Sequence, residues 1–165
     1  YQKQSQHYEH LWVDILTASK TIAINCLYRP PQETPESHDL FLSTANDILT
    51  QLLTYKADLK VVSGDLNLGN CYCLDPVLPF KPLDNAASQL FSSFGFTQLI
   101  DIPSRVTDNT MSLLDLVFVQ SLDLVDQYGT LPPIADHDGT LVSFNIKLKL
   151  KKCFAIQLPL PVKIM

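Results

Sequence analysis

Apolar and polar residues alternate along the first part of the chain, and this alternation predicts paired β-strands. It runs over 11–16 and again over 21–28, with a short polar connection between the two segments. Two alternating segments joined in this way are typical of a β-hairpin. We expect the hairpin to end at Arg29-Pro30-Pro31, because proline cannot continue a ladder of strand hydrogen bonds.

Two later segments have apolar residues at intervals of three and four, which predicts helices. The first helix is predicted over 35–55, with Glu36 or Ser37 capping its start. The second is predicted over 85–94, and Gly95 behind it is the residue type that commonly ends a helix.

Two short apolar runs, 59–63 and 113–119, do not alternate. Such runs are typical of strands that are covered on both faces, as in α/β proteins. The proline-containing stretch 69–84 is predicted to be irregular. Further strands are predicted at the following segments: 97–100, 122–126 and 140–150. The mixture of strands and helices predicts an α/β class with helices packed on the sheet.

The bulk composition predicts one folded domain. The chain has 165 residues, of which 46% are hydrophobic and 18% charged, so it is globular in character and long enough for a sizeable core. We assign 1–150 to the domain and 151–165, which has no clear pattern, to an unstructured tail. No run of about 18 apolar residues predicts a membrane span. The chain has no signal peptide and begins at Tyr1, which suggests a piece of a longer protein.

Charge and cysteine content bear on nucleic-acid binding, zinc binding and the cellular compartment. The net charge of −5 argues mildly against broad binding to nucleic acid, yet a metal ion can supply positive charge for a phosphodiester substrate. Cys71 and Cys73 are too close together for the usual zinc pair, and Cys26 is predicted to be a small core residue. Reduced thiols in an intracellular protein that is not secreted are therefore the expectation.

Two polar patches stand at the ends of apolar stretches: Gly64-Asp65-Leu66-Asn67 and Ala135-Asp136-His137-Asp138. Ligand groups gather at strand ends in α/β sheets. Asp65 there can hold or deprotonate a water, and Asn67 can hydrogen-bond a phosphoryl oxygen without adding charge. The alternative is that each patch is an ordinary turn whose side chains cap the backbone.

Asp115 lies inside an apolar run, where a carboxylate is costly unless it is paired. His137 is a candidate partner, because it is the only histidine in the C-terminal two-thirds of the chain. A carboxylate on one ring nitrogen would fix the tautomer and leave the other nitrogen to face a phosphate. Alternatively, Asp115 is a satisfied core carboxylate bonded to backbone or to Arg105.

Tyr28 and Arg29 end the predicted hairpin and are candidate phosphate contacts. The alternative for Tyr28 is a rim aromatic that packs on Pro30. The remaining histidines, His10 and His38 among them, lie in polar surroundings and are predicted to be surface residues.

The ordered set of motifs resembles the endonuclease/exonuclease/phosphatase superfamily, and most of all the AP-endonuclease-like domains of non-LTR retrotransposons. The motifs that carry the resemblance are a strand ending in Tyr28-Arg29-Pro30-Pro31, Gly64-Asp65-Leu66-Asn67, the strand around Asp115, and Ala135-Asp136-His137 in place of the family's Ser-Asp-His. The resemblance implies a four-layer α/β sandwich that hydrolyses phosphoester bonds with Mg²⁺ or Mn²⁺.

The resemblance also implies a role for each matched residue. Asp65 would orient or activate the attacking water, and Asp136 would help to bind the metal. Asn67 would hold a non-bridging phosphate oxygen, and Tyr28 would contact the phosphate. His137 would stabilise charge on the phosphorane, and Asp115 would orient His137. These roles agree with the residue chemistry, since phosphoryl transfer needs charge neutralisation and a positioned nucleophile.

The chain departs from the family pattern in its first part. In the family, an N-terminal lobe upstream of the Tyr-Arg-Pro-Pro strand supplies an asparagine and the principal metal-binding glutamate. We therefore expect a C-terminal part of the domain, with the N-terminal lobe missing and weak or absent activity on its own. The leading hypothesis is a truncated, metal-dependent phosphodiesterase that resembles a DNA-nicking retrotransposon endonuclease.

Two alternative functions stay open. One is a non-catalytic remnant that acts as a binding module, and the other is a phosphatase of the same superfamily that acts on a small phosphoester. For the leading hypothesis, the expected partners are a DNA substrate and a reverse transcriptase downstream in the same polyprotein. The expected location is then the nucleus.

Overall fold

The computed structural model describes residues 8–17, 19–31, 34–73, 84–108, 110–133 and 135–146. Their elements, in chain order, are β1 (His10–Leu16), β2 (Thr21–Leu27), α1 (Pro35–Thr54), β3 (Leu59–Cys73), α2 (Asn85–Ser93), β4 (Thr97–Gln98), β5 (Arg105–Val106), β6 (Thr110–Val119), a 3₁₀ turn (Leu122–Leu124), β7 (Val125–Pro133) and β8 (Asp138–Phe144). The predicted α/β class is confirmed.

The described strands form two sheets. The larger has the order β1-β2-β3-β6-β4, with β5 also pairing to β6, and the smaller consists of β7 and β8. The pairing of β2 with β3 is parallel, whereas β3 pairs antiparallel with β6. Parallel neighbours need a crossover connection, and α1 supplies it between β2 and β3. The sheet is therefore mixed, and two strands that are distant in sequence, β3 and β6, become neighbours.

The predicted hairpin is confirmed as β1 and β2, which pair from His10 opposite Leu27 to Leu16 opposite Thr21. The turn between them is held by Thr17. Its hydroxyl donates to the Lys20 carbonyl at 2.9 Å and accepts from the Lys20 N–H at 2.8 Å. The polar segment predicted to connect the two strands is thus a hydrogen-bonded turn.

Both predicted helices are present, but the cap of α1 differs from the prediction. Thr34 is the N-cap, and its hydroxyl accepts from the Ser37 N–H at 3.2 Å. The Ser37 hydroxyl accepts from the Thr34 N–H at 2.9 Å, which completes a reciprocal capping box. Ser37 therefore supports the cap from inside the first turn. The prediction missed Thr34 because Pro35 occupies the first helical position, which proline favours.

Both helices pack against one face of the large sheet. Trp12, Asn25, Val62 and Phe118 lie opposite one another across four strands, so they share that face. Tyr55, which ends α1, contacts Trp12 edge to face at 5.1 Å, and a ring of α2 stacks on Phe118 at 3.9 Å. This packing buries the face of β3 and β6 that carries Val62 and Phe118.

Cys26 is exposed, so its predicted place in the core is wrong. It lies opposite Leu11 and Ser63 on the sheet face that carries neither helix. Its sulfur is 3.8 Å from the Ser63 hydroxyl. An apolar strand pattern does not say which face is covered, and that is decided by where the helices pack.

Several strand boundaries differ from the prediction. Residues 69–73, predicted to be irregular, belong to β3, and residues 122–126 begin as a 3₁₀ turn rather than a strand. The last predicted strand is shorter at its end, because β8 stops at Phe144. Its remaining part, 147–150, and the predicted tail lie outside the described residues. None of the described helices is long and apolar enough to cross a membrane.

Candidate functional site

The antiparallel pairing of β3 with β6 brings two of the predicted site carboxylates together. Asp65 lies directly opposite Asp115 in this pairing, although fifty positions separate them in sequence. The register then shifts between Asp65 and Asn70, where β3 bulges away from its partner. Bulges of this kind re-aim side chains and are frequent beside functional sites.

His137 joins these carboxylates from the start of β8. Its Nδ1 is 2.7 Å from the Asp115 Oδ2, and both side chains are partly exposed. A carboxylate only accepts, so Nδ1 carries the proton and Nε2 is the nitrogen presented to a ligand. The alternative in which Asp115 pairs with Arg105 is not what the structure has. Arg105 instead lies 3.4 Å from the carboxylate of Asp136, an exposed side chain.

Ser104 hydrogen-bonds both to β6 beside Asp115 and to the residue after His137. It was not identified from the sequence. It is fully buried, and its hydroxyl accepts from the N–H groups of Leu114 at 3.1 Å and Asp115 at 3.0 Å. Its carbonyl accepts from the Asp138 N–H at 2.7 Å. The residue thus holds β6 beside the His137 loop. A serine after a proline is an ordinary loop pair, so the sequence has no signal for this role.

Replacing Ser104 with alanine should destabilise the fold by about 1–3 kcal/mol. The change leaves the N–H groups of Leu114 and Asp115 without their hydroxyl acceptor, and an unsatisfied buried donor carries a cost of this size. Urea unfolding followed by circular dichroism measures the loss. The exposed Ser88→Ala is the matched control. Equal unfolding curves for the two variants would contradict the assigned role of Ser104.

Asp65 is partly buried, and its Oδ1 has no hydrogen-bond partner among the described residues. Burial raises the pKa of this carboxyl above its usual range, and the neighbouring Asp115 raises it further. The His137 charge and hydrogen bonds from Asn67 act in the opposite direction. An ionised Asp65 is therefore disfavoured by the fold, which is common where a carboxylate is kept for chemistry.

Asp65→Asn should stabilise the fold at neutral pH by about 0.5–2 kcal/mol, the range typical of stabilising single substitutions. Because the pKa of Asp65 is raised in the folded protein, its favourable contribution is present below the unfolded value of 3.8 and is lost as pH rises through the folded value. The advantage of the variant should therefore appear near pH 7 and vanish near pH 3.8. Thermal unfolding in EDTA at both pH values measures it. Asp123→Asn, at an exposed position, should show no such difference.

Asn67 follows the Asp65 bulge in a left-handed conformation, with φ of 44°. Its Nδ2 donates to the Arg29 carbonyl at 2.7 Å, so this amide is held by the chain. Its contact with a phosphate oxygen stays a prediction. Asparagine is one of the few residues with a side chain that adopts this conformation readily.

Tyr28 and Arg29, predicted as a pair of phosphate contacts, face different surroundings. Tyr28 is 42% exposed, as a ligand contact requires, whereas Arg29 is only 2% exposed. The Arg29 guanidinium donates to the Leu66 carbonyl at 3.3 Å and to the Asn67 carbonyl at 2.7 Å. The Arg29 guanidinium is therefore buried against the backbone of Leu66 and Asn67, and the phosphate contacts of Tyr28 and Arg29 stay predictions.

His10 and His38 were both predicted to be surface residues, but their exposure differs. His10 is exposed, and its Nδ1 is 3.2 Å from the Asn25 Nδ2. His38 is half-buried instead, with its Nδ1 3.3 Å from the Arg29 Nη2. Its polar sequence surroundings gave no sign of this, because the buried partner comes from the end of β2.

Comparison with solved structures places this arrangement in a known fold. One match is an "endonuclease/exonuclease/phosphatase family protein from Leptotrichia buccalis C-1013-b", with a TM-score of 0.52 and 18% sequence identity. Another is the "Endonuclease domain of TRAS1, a telomere-specific non-LTR retrotransposon", with a TM-score of 0.61 and 20% identity. The chain has the endonuclease/exonuclease/phosphatase fold. The matches cover 83% and 84% of this chain.

The endonuclease/exonuclease/phosphatase fold is matched over part of its length. The chain spans 64% of the TRAS1 domain and 53% of the Leptotrichia protein. No family model matches the sequence, and no curated protein matches it either. The fold is thus recognised through tertiary structure at low sequence identity.

Endonuclease/exonuclease/phosphatase proteins typically use a metal ion. No group of three or more His, Cys, Asp or Glu side chains within the described ranges is arranged to hold a metal ion. Asp136 is 71% exposed and paired with Arg105, and Asp65 supplies a buried oxygen without a partner. These residues do not form a metal centre by themselves. The residues that the structure describes therefore do not complete a site for the predicted Mg²⁺ or Mn²⁺.

Proposed function

We propose that this chain belongs to a phosphodiesterase that nicks DNA, in a four-layer α/β sandwich. The observation that carries the proposal is the Asp115–His137 contact of 2.7 Å at a position directly opposite Asp65. An oriented imidazole beside a carboxylate with an unpaired buried oxygen is the pair of groups that phosphoester hydrolysis needs. The fold shared with a retrotransposon endonuclease domain supports DNA as the substrate.

The residues divide the reaction between them. Asp65 holds a water and takes its proton as the water oxygen attacks phosphorus; the bond from phosphorus to the leaving oxygen breaks, and that oxygen takes a proton from solvent. His137, with Nδ1 fixed by Asp115, acts as the imidazolium: its Nε2–H donates to the phosphoryl oxygens and stabilises the negative charge that develops there. Asn67 and Tyr28 supply neutral hydrogen-bond donors at the rim, and Asp136 is the oxygen ligand offered to a metal.

Nicking of supercoiled plasmid tests this proposal. Wild-type protein should convert plasmid to the open-circular form in Mg²⁺ or Mn²⁺, weakly because the chain spans 64% of the TRAS1 domain, and EDTA should stop the reaction. Asp65→Asn should lose the activity, while the exposed Asp123→Asn should keep it. Nicking that persists unchanged in Asp65→Asn would assign the activity to another site or to a contaminant.

A second function, phosphodiester binding without cleavage, is favoured by one specific observation. The described residues contain no cluster of three or more metal-ligating side chains. A binding module of this kind should raise the fluorescence anisotropy of a labelled DNA duplex in EDTA and leave the duplex intact when Mg²⁺ is added. Hydrolysis of a small phosphomonoester, with no effect on plasmid, would instead assign the chain to the phosphatases.

We further infer the setting in which such a nuclease works. Resemblance to the endonuclease domain of a non-LTR retrotransposon supports an origin in a retroelement. The partner is then a reverse transcriptase downstream in the same polyprotein, and the place of action is the nucleus. Detection of the two activities in one expressed polyprotein tests this setting.

A further inference from the structure

Arg29 is an unusual residue because it is an arginine with 2% of its surface exposed. Arginine is almost never fully buried unless it is paired. Its position just beyond β2, two residues after Leu27, places it beside the Asp65–Asn67 segment of β3.

Four hydrogen bonds join Arg29 to that one segment. Its N–H donates to the Asp65 carbonyl at 2.9 Å, and its own carbonyl accepts from the Asn67 Nδ2 at 2.7 Å. Its Nη1 donates to two successive carbonyls, those of Leu66 at 3.3 Å and Asn67 at 2.7 Å. Arg29 therefore hydrogen-bonds both the backbone of this segment and the side chain of Asn67, and this segment carries the predicted catalytic groups.

This segment needs such support. The β3–β6 ladder is interrupted between Asp65 and Asn70, so the carbonyls there lose their ordinary strand partners. Asn67 also has a φ of 44°, a conformation that costs free energy for any residue with a side chain. Strained backbone of this kind persists only where the surroundings hold it in place. The Arg29 guanidinium supplies the missing donors.

Arg29 is itself held by side chains of α1. Its guanidinium lies over the ring of Phe41 in α1, 5.0 Å from the ring centroid. Its Nη2 is 3.3 Å from the Nδ1 of His38, and because a guanidinium cannot accept, Nδ1 accepts and Nε2 carries the ring proton. That Nε2 lies 3.7 Å from the carboxylate of Asp84, the N-cap of α2. The anchor thus connects both helices to β3.

We propose that Arg29 is a positioning residue that clamps Asp65 and Asn67 in their working geometry, and that it does not bind the substrate phosphate. This inference deepens the proposed function and rests on it. The burial of Arg29 and the direction of its Nη donors, towards two carbonyls and His38, separate it from Tyr28, whose side chain is exposed. Lysine cannot replace it, because one ammonium cannot span two carbonyls and also stack on a ring.

The first test uses wild-type protein and side-chain NMR of the arginines. A clamped guanidinium should give separate, slowly exchanging Nη–H signals for Arg29, and these should stay in place when a short DNA duplex is added. Signals that are averaged and exchange rapidly would overturn the proposal, as would signals that shift on titration with the duplex. Because this measurement needs no variant and no catalysis, it decides the role of Arg29 even if the protein neither binds nor nicks DNA, which is how the proposed function would fail.

The second test compares Arg29→Lys and Arg29→Met with a control charge removal, Lys20→Met, at the hairpin turn. Both Arg29 variants should lower kcat for plasmid nicking by about 10²-fold, since small misplacements of catalytic groups have effects of this size, with KM little changed. The salt dependence of DNA binding should be the same as in wild type. A phosphate contact predicts a different result: Arg29→Lys would stay active, and Arg29→Met would reduce the salt slope by about 1.

Discussion

Gly64→Ala should destabilise the protein by at least about 3 kcal/mol, the largest loss expected from adding a methyl group at any of the described glycines. A Cβ at this position would lie 2.1 Å from the backbone carbonyl oxygen of Leu27, a contact that no side-chain rotation relieves. The residue also has a φ of 143°, which favours glycine. Because β2 and β3 are neighbours inside the large sheet, the clash displaces Asp65 as well.

Urea unfolding measures this loss, and a second glycine provides the control. Gly129→Ala adds the same methyl group to β7, where no atom lies within 4 Å of the new Cβ, so it should be neutral or slightly stabilising. If Gly64→Ala unfolded within about 1 kcal/mol of wild type, the close approach of β2 to β3 described here would be wrong.

His137→Ala should reduce the rate of plasmid nicking by about 10²–10³-fold relative to the wild-type rate, the range for removing a donor aimed at developing negative charge. The imidazole is held by Asp115 at 2.7 Å, and its Nε2 is the atom that the proposed mechanism aims at the phosphoryl oxygens. Asp115→Asn should have a smaller effect of about 10–100-fold, because it disturbs the orientation of the ring without removing it.

The two variants need matched measurements of folding and binding. Circular dichroism should show both as folded, since each changes a partly exposed side chain. The affinity for a DNA duplex, measured in EDTA, should change much less than the rate. Nicking by His137→Ala at the wild-type rate would remove the histidine from the mechanism and would leave Asp65 to be tested alone.

Local patterns predicted most of the elements that position the site. Alternation located β1 and β2, and helical spacing located α1 and α2, because these elements are amphipathic within one segment. The prediction failed where no such pattern exists. Strand β7, which ends in Pro132 and Pro133, was missed for most of its length, and the two-residue β5 is too short to have a period.

The site divides in the same way. Asp65, Asn67, Asp115 and His137 were recognisable because polar residues beside apolar runs are costly without a partner or a purpose. Ser104 and the buried state of Arg29 were not recognisable. Ser104 works through backbone groups of β6 and the His137 loop, and Arg29 through carbonyls that the β3 bulge leaves unpaired. Because every residue type has backbone groups, the sequence gives no sign of which ones Ser104 and Arg29 will bond.

The sequence by itself determined the strands, the helices and the types of side chain available for phosphoester chemistry. Those properties depend on local periodicity and on the chemistry of single residues. Only the tertiary structure decided that Asp115 pairs with His137 rather than with Arg105, that Arg29 is buried while Tyr28 is exposed, and that Cys26 is exposed. The reason is physical: such outcomes are set by strand register and by which face the helices cover, and both result from contacts between residues far apart along the chain.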